Sequence, residues 1–313
     1  MKARLLTSLG IVATLALMFV LKVYVSSYFF DVLFLAIAMF AAYEMSGLLT
    51  RAGRHNNTYI ILAMPAVLTC ATILGIHFSL GFGYTILIDV ALVAAGFLTA
   101  LIWSLATKKS TLKEMKIREY TGKYSRFCAT KALNTLIGIA YPTFLFLMML
   151  FLNHFDAISL EKAAAFDGKL SLFVVLFAFL IPIFTDSFAM LTGMVIGGPK
   201  IAPKISPKKT ISGAIGGTVF CILLSACVYL ILGSIDYFVP VIANFELWKF
   251  IIITTLGSAI AQCGDLLESV IKRKAGVKDS GKILPGHGGI MDRFDSYFLL
   301  VPYLLLAVCF ILV

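Results

Sequence analysis

The chain has little charge, little histidine and no cysteine pattern. Only 13% of its 313 residues are Asp, Glu, Lys or Arg, while 60% are apolar. Soluble domains carry roughly a quarter charged residues, so this chain lacks the polar surface to cover itself in water. That excludes disorder, a coiled coil and a soluble enzyme. The six cysteines form no C-x-x-C pair, and five of them sit in apolar runs. They read as small apolar packing residues, not as a disulfide framework or a thiolate zinc site. Of the four histidines, His55, His77 and His154 belong to no recognisable motif. No repeat of fixed period and no low-complexity segment is visible. The formal charge of +10 lacks the contiguous soluble basic face that nucleic-acid binding needs, so it reads as membrane orientation and headgroup attraction.

Long apolar runs fill this gap. A helix needs about 20 apolar residues to cross the hydrocarbon core. Segments 4–25, 28–50, 57–78, 81–106, 132–154, 170–198, 211–234, 248–270 and 294–313 meet that length. The expected architecture is therefore an all-α polytopic membrane protein with about nine transmembrane helices. The first apolar run exceeds a signal-peptide core and is read as retained. With nine crossings, 22 of the 26 Lys and Arg residues fall on one side. The positive-inside rule then puts the N-terminus and the long basic loops in the cytoplasm. Residues 1–130 are expected to hold the N-terminal helices and a basic cytoplasmic loop, and 131–313 the catalytic membrane region.

Ionisable groups inside such spans are costly and mark candidate sites. Asp31, Glu44, Asp89, Asp186, Asp265 and Glu268 qualify. Asp31 lies near a span end and reads as interfacial. Glu44 and Asp89 read as helix-packing partners or as residues of a polar cavity, and bracing is the favoured reading because buried acids often only brace a bundle.

The segment 264–296 is richer. Asp265, Glu268, Ser269 and Lys272 recur at i, i+3, i+4 and i+7, one polar stripe on a helix. Pro285, Gly286, Gly288 and Gly289 stop the helix around His287, and Asp292 and Asp295 follow at i, i+3. Two hard oxygen donors beside a cluster of cations suit Mg²⁺ holding a phosphorylated substrate. The plainer alternative is capping by Asp292 and dipole stabilisation by Asp295. The nearby Asp265, Asp279 and basic residues favour the metal.

A second cluster lies between the sixth and seventh spans. Thr185, Asp186 and Ser187 put polar groups inside span six, and Lys200, Lys204, Lys208 and Lys209 follow with Ser206, Thr210 and Ser212. Gly213, Gly216 and Gly217 then open span seven. The glycines read either as a helix-packing face or as an anion cradle at a helix N-terminus. The Ser-Pro-Lys-Lys-Thr entrance favours the cradle.

Together the two clusters resemble the phosphatidate cytidylyltransferase family, the CDP-diacylglycerol synthases. The signature of that family is carried here by Ser269, Lys272, Arg273, Lys278, Asp279, Gly281, Leu284, Pro285, His287, Gly288, Gly289, Asp292, Arg293 and Asp295, a span of 27 residues. Residues 206–210 look like its S-P-K-K-[ST] segment, with Asp186 at its buried aspartate. Ser212 stands where the family commonly has Glu. The resemblance implies an integral enzyme of a bacterial cell membrane, with its site on the cytoplasmic side, that converts CTP and phosphatidate into CDP-diacylglycerol and pyrophosphate. It implies Mg²⁺ on Asp265, Asp292 and Asp295, with a second cation left open. Lys272, Asp279 and His287 join these acids as candidate catalytic residues. Asp186, Ser206, Lys208, Lys209, Arg273, Lys278 and Arg293 are the candidate substrate-binding residues. The expected partners are CTP, phosphatidate and membrane lipid, with a homodimer left open and nucleic acid excluded. The competing readings are a CTP-dependent enzyme for another lipid phosphate or a lipid alcohol, and a secondary transporter. A transporter predicts inverted repeats, and none is visible.

Overall fold

In hydrocarbon every backbone polar group must be satisfied within its own segment, so long apolar runs can only be helices. The structure, a computed structural model, follows that rule over the residues it describes: 2–107, 111, 114, 123–158, 168–284 and 288–312. Most of the basic segment 107–131, and Lys162, lie outside them. Helices α1 (Lys2–Tyr24), α2 (Tyr28–Arg51), α3 (Thr58–His77) and α4 (Phe82–Ala106) come first. Next are α5 (Lys123–Gly138), a π-helical turn (Ile139–Phe144), α6 (Leu145–Asn153) and the short α7 (Phe155–Ile158). Helix α8 (Lys169–Ile196) leads through a hairpin of β1 (Lys200–Ala202) and β2 (Ser206–Thr210) into α9 (Ile211–Gly233). The described chain closes with α10 (Val239–Asn244), α11 (Leu247–Lys274), α12 (Met291–Phe294) and α13 (Tyr297–Leu312).

Eight helical segments among the described residues are long and apolar enough to cross a membrane, and α1 adds a shorter apolar stretch, Leu9–Tyr24. The fold is a polytopic all-α membrane bundle. Three expectations need correction in detail. The fifth crossing begins at α5, well before residue 132, because α5 starts with a mixed polar sequence that an apolar count misses. Its start is held by packing on α4, where Tyr124 Oη donates to the Ser104 and Leu105 carbonyls at 2.9 and 3.1 Å. Within it, Pro142 falls in the π-turn, which accommodates a residue without an N–H. The last crossing is broken between α12 and α13, at Asp295 and Ser296. The loop 199–210 is an antiparallel hairpin pairing Lys200 with Thr210 and Ala202 with Ser206.

Helix α2 runs through the middle of the core. Phe30, Phe34, Ala38, Ala41, Ala42 and Leu48 are fully buried. Phe34 stacks near Phe179 of α8 and meets Phe146 of α6 edge-on, and Phe146 meets Phe298 of α13. Aromatic contacts of this kind add about 0.5–1.5 kcal/mol each beyond area burial, so they lock the N-terminal helices to the C-terminal ones.

Where α1 ends and α8 begins, the bundle buries a knot of polar groups. Lys22 Nζ donates to Asn153 O and Oδ1 at 2.8 and 2.7 Å, and to Ser27 and Ser171 hydroxyls. Asp31 accepts from Asn153 Nδ2 at 2.8 Å and pairs with His154 Nε2 at 2.7 Å. Asp31, in the first turn of α2 and so near a span end as expected, is a brace buried within the protein, 2% exposed. His154 is its partner and not a bland residue. Hydropathy could not show this, because the knot draws on four helices, α1, α2, α6 and α8.

Candidate active site

Helices α8 and α9 approach closely because α9 opens with glycines. A Cβ on Gly213 or Gly217 would fall 2.6 or 2.7 Å from the carbonyl oxygens of Ala189 or Thr185. The glycines at the start of span seven thus form a packing face against α8. Thr210 caps α9 by accepting from Gly213 N at 3.1 Å. Beside this junction, the hairpin, α8, α11 and the 292–295 segment enclose a cavity of about 800 Å³.

Most of the expected site residues reach that cavity. Asp186 from α8, Asp265 from α11, and Asp292 and Asp295 from the C-terminal segment supply carboxylates, and Lys208, Lys209 and Arg293 supply cations. Lys200 adds a fourth cation at the hairpin. Gly264 makes the approach of Asp295 to Asp265 geometrically feasible. A Cβ there would lie 2.7 Å from Asp295 O and 3.2 Å from Ser296 Cα, so only glycine lets the chain break rest on α11.

The acids differ in what already fills them. Asp265 pairs with Lys209 and accepts from Ser269 Oγ at 3.4 Å. Asp186 accepts one long bond, 3.5 Å, from Ser296 Oγ. Asp295 accepts from its neighbour Ser296 and lies within electrostatic range of Asp265, Glu268 and Asp186. Asp292 is saturated. Its Oδ1 takes Lys272 Nζ at 2.7 Å, and its Oδ2 takes Ser280 N, Ser280 Oγ and Gly289 N at 2.9, 3.0 and 2.8 Å. These bonds make Asp292 the brace of the 280–291 loop as well as part of the cavity wall.

Lys272 does not line the cavity. It is 8% exposed and bonds Glu268 at 2.9 Å as well as Asp292, so it neutralises buried acids behind the site. Arg273 is exposed and donates to the carbonyls of Ile205 and Val277 at 3.1 Å each, tying the hairpin to the end of α11. Ser206 lies at the start of β2, off the cavity wall, and Lys278 and Asp279 are exposed on the following loop. His287, with Pro285 and Gly286, lies outside the described residues. Ser212 donates to Gly197 O and, at 3.2 Å, to Thr210 Oγ1, closing the end of α8 onto α9.

One polar group near the cavity was not singled out by sequence, and one candidate acid has a role that the sequence left open. Gln262 lines the cavity and donates to Thr218 Oγ1 at 3.0 Å; Thr218 in turn meets Ser258, which also accepts from Thr185 at 2.9 Å. The signal was present, since Ser258 and Gln262 continue the Asp265 stripe backward at helical spacing. Glu44 of α2 accepts from Ser280 Oγ, Ile290 N and Met291 N at 2.9, 3.0 and 2.8 Å while only 3% exposed. Nothing local to α2 announces that role, because every donor comes from more than 230 residues away.

Among the described residues no three carboxylate, imidazole or thiol groups already converge on a metal-binding point. Mg²⁺ does not need such a cage, for it commonly takes one or two carboxylates with waters and substrate phosphates. Asp186, Asp265 and Asp295 open on one cavity, and the carboxylate Oε1 of Glu268 behind them is buried without a hydrogen-bond partner. That excess of hard, anionic oxygen fits a divalent cation.

Comparison with known proteins gives a consistent picture. The model of the cytidylyltransferase family matches residues 2–311. A phosphatidate cytidylyltransferase of Staphylococcus saprophyticus is 44% identical over 130 residues, 42% of this chain and 46% of that protein. Those of Staphylococcus haemolyticus and Staphylococcus aureus are 45% and 48% identical over the same length and shares. The matched segment thus spans less than half of the length of these relatives.

Proposed function

The chain belongs to the cytidylyltransferase family, and from that premise we propose that it transfers CMP from CTP to phosphatidate, giving CDP-diacylglycerol and pyrophosphate. The observation that carries this reading is the one cavity where carboxylates of α8, α11 and the 292–295 segment face Lys200, Lys208, Lys209 and Arg293. A soluble, highly anionic nucleotide and a membrane lipid phosphate could meet there without either leaving its own solvent. The similar Staphylococcus proteins bear the name of this activity.

In the proposed reaction a phosphatidate oxygen attacks the α-phosphorus of CTP in line. The bond to the bridging oxygen breaks and pyrophosphate departs with that electron pair. The attacking oxygen is already anionic, so no strong general base is needed. The chain's contribution is positioning and charge. Lys208 and Lys209 at the hairpin and Arg293 at the loop end would bind phosphate oxygens, and Lys209 would exchange its Asp265 partner for substrate. Asp186, Asp265 and Asp295 would hold Mg²⁺. Bound there, the ion would supply Lewis-acid neutralisation of phosphate charge. Asp292, Lys272 and Glu44 keep the loop in register. The positive-inside asymmetry supports a cavity that opens to the cytoplasm.

The test is direct. Purified protein in detergent, given labelled CTP, phosphatidate and Mg²⁺, should move label into the lipid fraction and stop on chelation. Label confined to the water-soluble fraction under all conditions would overturn the assignment.

A further inference from the structure

Helix α11 has two working faces. Asp265, Glu268, Ser269 and Lys272 look toward the cavity side described above. Leu267, Val270, Ile271 and Lys274 recur at i, i+3, i+4 and i+7, so they share the opposite face. There they line an apolar slot of about 130 Å³ against Leu48 and Leu49 of α2 and Ile137 of α5. Arg54 and Lys274 stand at its polar end. The slot adjoins a wider chamber of mixed lining, about 510 Å³, and both are lined by Arg54 and Ile137. In that chamber Lys131 and His55 already face the Glu114 carboxylate, at 2.9 and 3.9 Å. Arg54 and Lys274 are exposed and form no ion pair among the described residues.

We propose that this slot is a binding site for an anionic phospholipid, separate from the substrate cavity, with an acyl segment in the slot and the phosphate between Arg54 and Lys274. Three features carry the choice of occupant. The walls belong to the last two turns of two membrane-crossing helices, so lipid is what reaches them. The slot is apolar along its length and cationic only at its end, the polarity order of a phospholipid. Among the described residues the two cations lack a countercharge, which a zwitterionic headgroup supplies poorly and an anionic one supplies fully. The site lies across α11 from Asp265 and does not depend on the reaction proposed above.

Native mass spectrometry of the detergent-purified chain, titrated with phosphatidylglycerol, phosphatidylcholine or soluble glycerol phosphate, tests this. Wild type should retain phosphatidylglycerol in preference to the other two. At about fivefold per juxtamembrane cation, Arg54→Ala with Lys274→Ala should weaken that retention by about twenty-five-fold. Val270→Trp, which fills the slot and leaves both cations in place, should weaken it as well. Both cations are exposed, so the double variant should keep the wild-type melting temperature in phosphatidylcholine micelles. Unchanged phosphatidylglycerol retention in both variants would overturn the proposal. Equal retention of phosphatidylcholine, or equal binding of glycerol phosphate, would also overturn it. So would a change of oligomeric state with lipid retention intact, since that outcome assigns the surface to a second copy of the chain.

Discussion

Where α1 ends and α8 begins, Lys22 has four acceptors within 3.3 Å and both oxygens of Asp31 have donors within 2.8 Å. Farther along α8, Asp186 has one long hydrogen bond among the described residues, and Asp295 accepts from the adjacent Ser296 and faces three other carboxylates. Both regions place acids among helices, and hydropathy gives them equal weight. The difference lies in saturation. A charge that the protein completes reads as a brace; one left short of partners beside a cavity is a candidate binding group, because a ligand can supply the missing countercharge. Asp292 shows that both can occur in one side chain's neighbourhood, as it is saturated while Asp295, three residues on, is not.

The contrast can be broken by exchanging one group from each region. The largest effect is expected at the cavity. Asp265→Asn should lower kcat by about a thousandfold, in the range of removing one preorganised electrostatic group, with little change in melting temperature. A rate near wild type would move the site elsewhere. Lys22→Met should do the reverse. Leaving the Asn153 and Ser171 oxygens without their shared charged donor should cost about 3 kcal/mol of stability, the upper end for losing hydrogen bonds to a charged group. The activity per folded molecule should be unchanged, as read by thermal melts alongside turnover. A large loss of kcat at unchanged stability would erase the distinction between the two ends.

Smaller effects sharpen it. Glu44→Gln replaces an acceptor-only carboxylate with a group that turns one donor toward Ile290 N or Met291 N. Hydrogen bonds to a charged acceptor are worth about 1.5–3 kcal/mol. If that energy holds the 280–291 loop in register, kcat falls by about ten- to a hundredfold, and Glu44→Asp restores part of it. Unaltered kinetics would show that the loop stands without α2. The smallest effect concerns Asp156, on the short α7 outside the crossings. Burial raises its pKa above the ordinary 3.8, against the Ser171 hydrogen bonds and the Lys22 charge. The folded chain therefore holds this proton more tightly than the unfolded chain. The resulting stability is fully present below the ordinary carboxylate value and is lost as pH rises through the folded one. Melts taken upward from 3.8 to neutral pH should show that decline, and Asp156→Asn should flatten it.

Much of the site was readable in the sequence because it is local. The stripe from Asp265 to Lys272, the Lys208–Lys209 pair and the Asp292/Asp295 spacing follow from one helix or one loop at a time. The hairpin at 200–210 was harder, since its short strands, KIA and SPKKT, carry no alternating apolar pattern. Glu44 was seen only as a buried acid of open purpose. Its donors lie on a loop near the other end of the chain, and no local periodicity reports such a partner.

The amino-acid sequence alone determined the solvent, the helices and the chemical types at the site. Apolar length and buried acid are properties of short segments, and the cost of unpaired polar groups in hydrocarbon leaves helix as the answer. Tertiary structure decided which acids are finished and which remain open. That depends on whether a glycine such as Gly264 lets one backbone lie against another, and on which distant amide or ammonium then comes within three ångströms.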